Sequence, residues 1–289
     1  MNNKKTFSKK LFFFSLILIL AAALFGKTKK SKTPQNVVAL SKSLTEMWLL
    51  AGGQIAGSTD DGLELEGAKK AASVGTLSTT SLEAIVSLNP GLVIMTYDMP
   101  AHKKLGANLK SMGINVEVVD INNFADYDIY MKKFTDLTGR ADLYKKNVTD
   151  VADGIKKVLN GKTGGKGNGK TYLFLRVSSA KNKVMKGYFG NEIIENFGFK
   201  SIVEDSSSLD DLSIEAIIAA DPDYIFVVAQ GDQKRADEAF YKAYQSNPAW
   251  SGLTAAKAGR IFMLPKELFN TKPNAEWAQA YQYLGDLID

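Results

Sequence analysis

Residues Gly164 to Thr171, read Gly-Gly-Lys-Gly-Asn-Gly-Lys-Thr, match the phosphate-binding pattern G-x-x-x-x-G-K-[ST] at every position. That loop holds phosphate only where a strand leads in and a helix leads out, because the helix N-terminal amides must meet the anion. Here a helical pattern precedes it, and the apolar run Tyr172–Val177 that follows reads as a strand. The reversed order makes the stretch a glycine-rich connector. Nucleophilic chemistry is equally short of parts: the chain has no cysteine, no G-x-S-x-G elbow, and one histidine, His102, to serve any triad. No G-x-G-x-x-G follows a strand at the start of either half. The expectation is that the protein is not an enzyme, although a scaffold alone does not exclude one. The missing thiols exclude disulfides and thiolate metal sites, and one histidine is too few for a bare zinc or manganese site. Recognition chemistry remains. Arg176, at a predicted strand end, suits a carboxylate through its forked guanidinium, and Tyr188 and Phe269 offer rings to a flat ligand.

The elements that would position these groups come in two copies. Thr80–Thr96, TSLEAIVSLNPGLVIMT, recurs as LSIEAIIAADPDYIFVV at Leu212–Val228, pairing Ser81, Glu83, Ala84, Ile85 and Pro90 with Ser213, Glu215, Ala216, Ile217 and Pro222 at a constant offset of 132. Each copy reads as helix, turn and buried strand. A period this long excludes a solenoid, whose units reach about 50 residues. Two α/β lobes follow, each large enough to bury its own core. The first opens with strand Val37–Leu40 and a helix through Ser43, Thr45 and Met47–Ala51. Ile55–Asp61 then makes a second strand and a polar loop. A helix to Met112 and strand Asn115–Val119 follow the first repeat unit. Tyr144, Val148, Val151, Ile155 and Val158 recur at steps of four and three, so one amphipathic helix ending at Asn160–Gly161 joins the lobes. The expected division is a leader at 1–33, a lobe at 34–141, the linking helix and connector at 142–169, and a second lobe at 170–289.

In the leader, Lys4, Lys5, Lys9 and Lys10 precede the apolar run Leu11–Gly26, which is short for a bilayer span and reads as an export signal. Ala21–Ala23 offers a small-residue cleavage site, whereas an uncleaved leader would tether the chain by its N-terminus. Setting aside the eight lysines of residues 1–33 turns the formal charge from +5 to −3. Such a body carries no electrostatic footprint for nucleic acid. An exported monomer at the periplasm or cell surface is expected.

The order ALSKSLTEMWLLAG, IAGSTDD, SLEAIVSLNPGLVI, SIEAIIAADPDYIFV and NPAWSGLTAAKAGRIFMLP resembles the substrate-binding proteins of iron-siderophore, haem and cobalamin ABC importers, over residues 37 to 288. The resemblance implies two Rossmann-like lobes joined by one helix, with the ligand in the cleft between them and an importer permease as partner. It implies an iron complex, siderophore or haem, as cargo, with cobalamin as the alternative, and no resident cofactor. It also places Glu83 and Glu215 where family members dock on the permease. A simpler role for Glu83 is a capping box with Thr80, which the second copy would lack at Leu212. Two departures stand out: Gly91 replaces the Asp kept at Asp223, and Lys27 stands where a lipidated Cys would be.

Loops expected at the cleft supply Ser43, Thr45, Asp60, Ser78, Tyr97, Met99 and His102 from the first lobe. The second supplies Arg176, Met185, Tyr188, Gln230, Arg235, Phe269, Lys272 and Asn274. Tyr97, Met99, His102 or Tyr188 would serve as a haem axial ligand. Each also has a plainer role. Ser43, Thr45 and Ser78 suit helix caps, His102 a helix start, Met99 and Met185 packing, Arg235 a solvated helix face, and Lys272-Pro273-Asn274 the entry to the last helix.

Overall fold

The structure is a computed structural model that describes residues 33–179, 182–203 and 213–289. The leader expected at 1–33, apart from Thr33, and Leu212 of the second repeat lie outside the described residues. Among the described residues no helix is long and apolar enough to cross a membrane.

The first lobe is a five-stranded parallel sheet in the order β3-β2-β1-β4-β5. Its strands are β1 (Val37–Ala39), β2 (Ile55–Ser58), β3 (Ala72–Ser73), β4 (Leu92–Thr96) and β5 (Val116–Val119). β1 and β4 are buried along their whole length, which their unbroken apolar runs demand of strands covered on both faces. Helices α1 (Lys42–Leu50), α2 (Leu82–Ser87), α3 (Pro100–Ser111) and α4 (Phe124–Thr138) alternate with them. The second lobe repeats the plan with β6 (Thr171–Val177), β8 (Lys200–Ser201), β9 (Tyr224–Ala229) and β10 (Ile261–Leu264), all parallel. β7 (Asn182–Val184) is added antiparallel to the far half of β6. Thus β6 stands where β1 stands, and β9 where β4 stands.

The link is one helical path. A short helix α5 (Ala141–Tyr144) continues through a π-helical turn (Lys145–Thr149) into α6 (Asp150–Leu159). The glycine-rich stretch then forms a series of turns, in which Gly167 N donates to Phe197 O at 2.9 Å, and β6 follows directly. No helix follows Thr171, as the reversed order of elements anticipates. The second lobe adds α7 (Phe189–Asn196), α8 (Ile214–Ala220), α9 (Gln233–Phe240) and a final helix α10 (Trp277–Ile288) that packs along α6.

The repeat is exact at its turns. Asn89 and Asp221, each just before a proline, both take the left-handed conformation, with φ of 47° and 40°. Asn and Asp are the residues that tolerate it best after glycine. The helix start differs from the capping box expected at Thr80. Ser81 is the cap, accepting from Ala84 N at 3.1 Å, and Ser213 does the same for Ala216 N at 3.2 Å. Thr80 instead donates to Thr76 O. Glu83 and Glu215 therefore occupy the same place in both copies, two residues past the cap, and a missing box distinguishes nothing.

Each lobe has a private apolar cluster, but the largest cluster runs through both. Trp277 sits at its middle, fully buried, with ring centroids of Phe124 and Phe189 each 5.7 Å away at steep angles. Edge-on aromatic pairs of this kind add to burial at the junction.

Candidate functional site

In parallel sheets of this kind the ligand crevice lies outside the carboxyl ends of the strands. On the first lobe those ends lead into Ser41–Ser43, Thr59–Asp61 and Tyr97–Asp98; on the second they lead into Ser178, Gln230 and Pro265–Lys266, with Arg176 just inside the end of β6. A shallow depression lined by Tyr241, Trp250 and Ile261 lies instead at the amino end of β10.

The first wall is held by hydrogen bonds. Ser41 caps α1 by accepting from Leu44 N, and the backbone N of Lys42 donates to Asp61 Oδ2 at 3.1 Å. Lys42 Nζ donates to Glu64 Oε2 at 2.7 Å. That bond holds the Glu64 carboxyl below the usual carboxylate range, and Lys266 of the other lobe adds to the pull. Thr45, expected at the ligand, is fully buried: its hydroxyl donates to Ser41 O at 2.9 Å and meets Ser58 Oγ at 2.7 Å. It braces the loop from beneath. Asp60 is exposed and accepts from Ser73 Oγ, while Ser78 is exposed beside Thr76. Tyr97 is 70% exposed and projects from the end of β4.

His102 is also inside the lobe. It is 1% exposed, and neither ring nitrogen has a partner at hydrogen-bonding geometry. Burial pushes its pKa down, against a weaker opposite pull from the carbonyls of Thr96 and Leu77. A buried neutral imidazole in the first turn of α3 is not placed to bind a haem iron, which corrects that expectation.

The second wall is cationic and aromatic. Arg176 lies with its guanidinium carbon 5.9 Å from the centroid of the Tyr188 ring, and its buried Nε has no partner. Tyr188 donates its hydroxyl to Asn270 O at 2.6 Å. Burial raises the phenol's pKa; Arg176 opposes the rise and Asp98 adds to it, so all three groups share one neighbourhood. Lys272 completes the group. Its side chain is only 11% exposed, and Nζ donates to Asp98 Oδ2 at 3.0 Å across the two lobes.

Gln230 and Arg235 are exposed, the latter on α9 where Asp232 caps its backbone N. Phe269 has no exposed surface, so the expectation that it stacks on a ligand is corrected: it is packed into the shared core. Met185 is buried as well, while Met99 is part-buried as the residue preceding α3. Asn274 is buried at the seam. It donates to Ser43 O at 3.0 Å and to Glu46 Oε2 at 2.6 Å, binding the lobes together. Burial raises the pKa of Glu46, with the Asn274 bond opposing and Glu276 reinforcing. Glu192 makes a similar tie by accepting from Phe124 N at 2.8 Å.

Asp98, Lys42, Glu64 and Lys266 were not singled out from the sequence. Asp98 had a usable signal, since it sits in the same loop as Tyr97. Among the described residues no group of three or more metal-ligating side chains comes together. Glu83 and Glu215 are both exposed at helix starts, one on each lobe.

Comparison with known proteins gives this arrangement a setting. The Fe(3+)-citrate-binding protein YfmC of Bacillus subtilis is 29% identical over 247 residues, covering 82% of this chain and 75% of that protein. The structure of Staphylococcus aureus IsdE complexed with heme superposes with a TM-score of 0.76 at 17% identity, over 88% of this chain and 98% of that one. The vitamin B12 binding protein BtuF of Vibrio cholerae gives 0.73 at 16% identity, over 89% and 97%. These two share the two-lobe fold. A family model described as periplasmic binding protein matches residues 37–268, spanning both lobes and the helix between them, and the chain belongs to that family.

Proposed function

We propose that the protein is the extracytoplasmic substrate-binding component of an ABC importer and that it captures an anionic iron chelate, of the carboxylate type, between its lobes. The observation that carries this reading is the grouping of Arg176 with Tyr188 and of Lys272 with Asp98, with a buried guanidinium Nε left unpaired. Buried polar groups without partners are uncommon, and one on a cation near the carboxyl end of β6 fits an anionic ligand. Haem fits less well. His102 and Met185 are buried, Tyr188 spends its hydroxyl on Asn270, and Phe269 cannot stack, leaving Tyr97 and Met99 as axial candidates. The Fe(3+)-citrate relative adds support for the carboxylate class. Glu83 and Glu215 are the proposed contacts to the permease, one from each lobe.

The test is a titration of the protein with ferric citrate, a ferric siderophore, haemin and cobalamin, followed by tryptophan fluorescence and visible absorption. Saturable binding of ferric citrate or the siderophore, weakened at least tenfold by Arg176→Gln, is expected. Tight binding of haemin alone, with a shifted Soret band, would replace the carboxylate reading by a haem reading.

A further inference from the structure

We propose that Asp98 is a specificity-determining residue of the cleft, whose carboxylate competes with an anionic ligand for Lys272 and so discriminates against weakly charged ligands. The inference rests on the reading of the cleft as an anion site. Lys272 comes from the second lobe, with its side chain 11% exposed, and the partner its ammonium meets is Asp98 of the first lobe at 3.0 Å. A largely buried ammonium is stable only while paired, so a ligand that displaces Asp98 must supply a carboxylate of its own.

Asp98 is suited to being displaced. Its side chain is 48% exposed, and its ties to its own lobe are long: 3.5 Å from Thr96 Oγ1 to its carboxylate and 3.4 Å from its backbone N to the same hydroxyl. Released from Lys272, it returns to water at little desolvation cost. Arg176 supplies the second half of the argument. Asp98 lies in the neighbourhood of Tyr188 and Arg176, yet Arg176 keeps a buried nitrogen unpaired. A ligand with one carboxylate merely exchanges with Asp98 at Lys272, with little net gain. One with several carboxylates exchanges there and also pairs Arg176, which is the gain that selects it. Discrimination of this sort, by an internal group that the wrong ligand cannot profitably replace, works as well as added attraction.

The experiment titrates ferric citrate, and separately citrate alone, into the native protein, Asp98→Asn, and the double variant Asp98→Asn/Lys272→Gln. Ferric citrate binding is read by absorption and fluorescence, and the citrate response by the shift in thermal midpoint. Asp98→Asn is expected to bind ferric citrate about three- to tenfold tighter and to show a larger citrate-induced shift, both gains vanishing in the double variant. A citrate shift that is unchanged or smaller in Asp98→Asn overturns the proposal. If the native protein ignores ferric citrate, the assignment of cargo falls, and the citrate shifts of the variants still decide the role of Asp98.

Discussion

At the residue scale, Gly91 shows how one position can look like a defect and be a fit. In the second copy Asp223 ties the start of β9 to that of β6: its Oδ2 accepts from Thr171 N at 2.9 Å, and its own N donates to Thr171 Oγ1 at 3.1 Å. In the first copy the backbone does this work, as Gly91 N donates to Gln35 O at 2.8 Å. A β-carbon at Gly91 would stand 2.6 Å from that same oxygen. Gly91→Asp, which copies the residue of the second repeat, is therefore expected to destabilise the protein by about 1–3 kcal/mol in urea unfolding, because rigid backbone must move. The same locality explains which site residues were legible. Arg176 and Tyr188 could be nominated from a strand end and a charge or ring, but not their approach to within 5.9 Å of each other. Thr45, His102 and Phe269 were misread because their burial depends on the rotation of a helix against a sheet, which residue type does not report.

At the element scale, the linking helix was legible from the spacing of its apolar residues, since Val151 and Ile155 are buried as that spacing requires. Its π-helical turn was not. The turn holds buried Asn147, whose amide donates to Leu50 O at 2.8 Å and whose carbonyl accepts from Tyr127, partners about 97 and 20 residues away. Contacts so distant leave no local periodicity. Short β3, β7 and β8 were missed for a similar reason: two or three residues cannot show alternation. Gly154 lets α6 and α10 approach closely, because a β-carbon there would meet Ala278 Cβ at 2.9 Å. Gly154→Leu is expected to part the two helices and cost about 1–3 kcal/mol of stability, measured by denaturant unfolding, despite leucine's better helix propensity.

At the scale of the whole molecule, the repeat makes two equivalent surfaces. Ser81 and Ser213 cap their helices alike, and each is followed at the same offset by an exposed acid. The Glu215 carboxyl is held below the usual range by its own backbone amide and by Ser213, so it stays charged. If these acids register the protein on its permease, Glu83→Lys with Glu215→Lys abolishes ligand-stimulated ATP hydrolysis by the reconstituted importer and leaves ligand affinity unchanged. Undiminished stimulation would remove them from that role. The architecture itself was legible in the 132-residue period, and the family in the order of its segments; the ties across the seam were not, because they join positions such as Asn274 and Glu46 that only folding brings together.

One interior runs through both lobes, with Trp277 against Phe124 on one side and Phe189 on the other. Neither half can melt without stripping the other of part of its core, so a single calorimetric transition is expected in place of two. Whatever free energy a ligand releases in the cleft is then spread over the whole length of the protein. Outside the cytoplasm, where proteases act on whatever opens, a loaded molecule is guarded along its whole length.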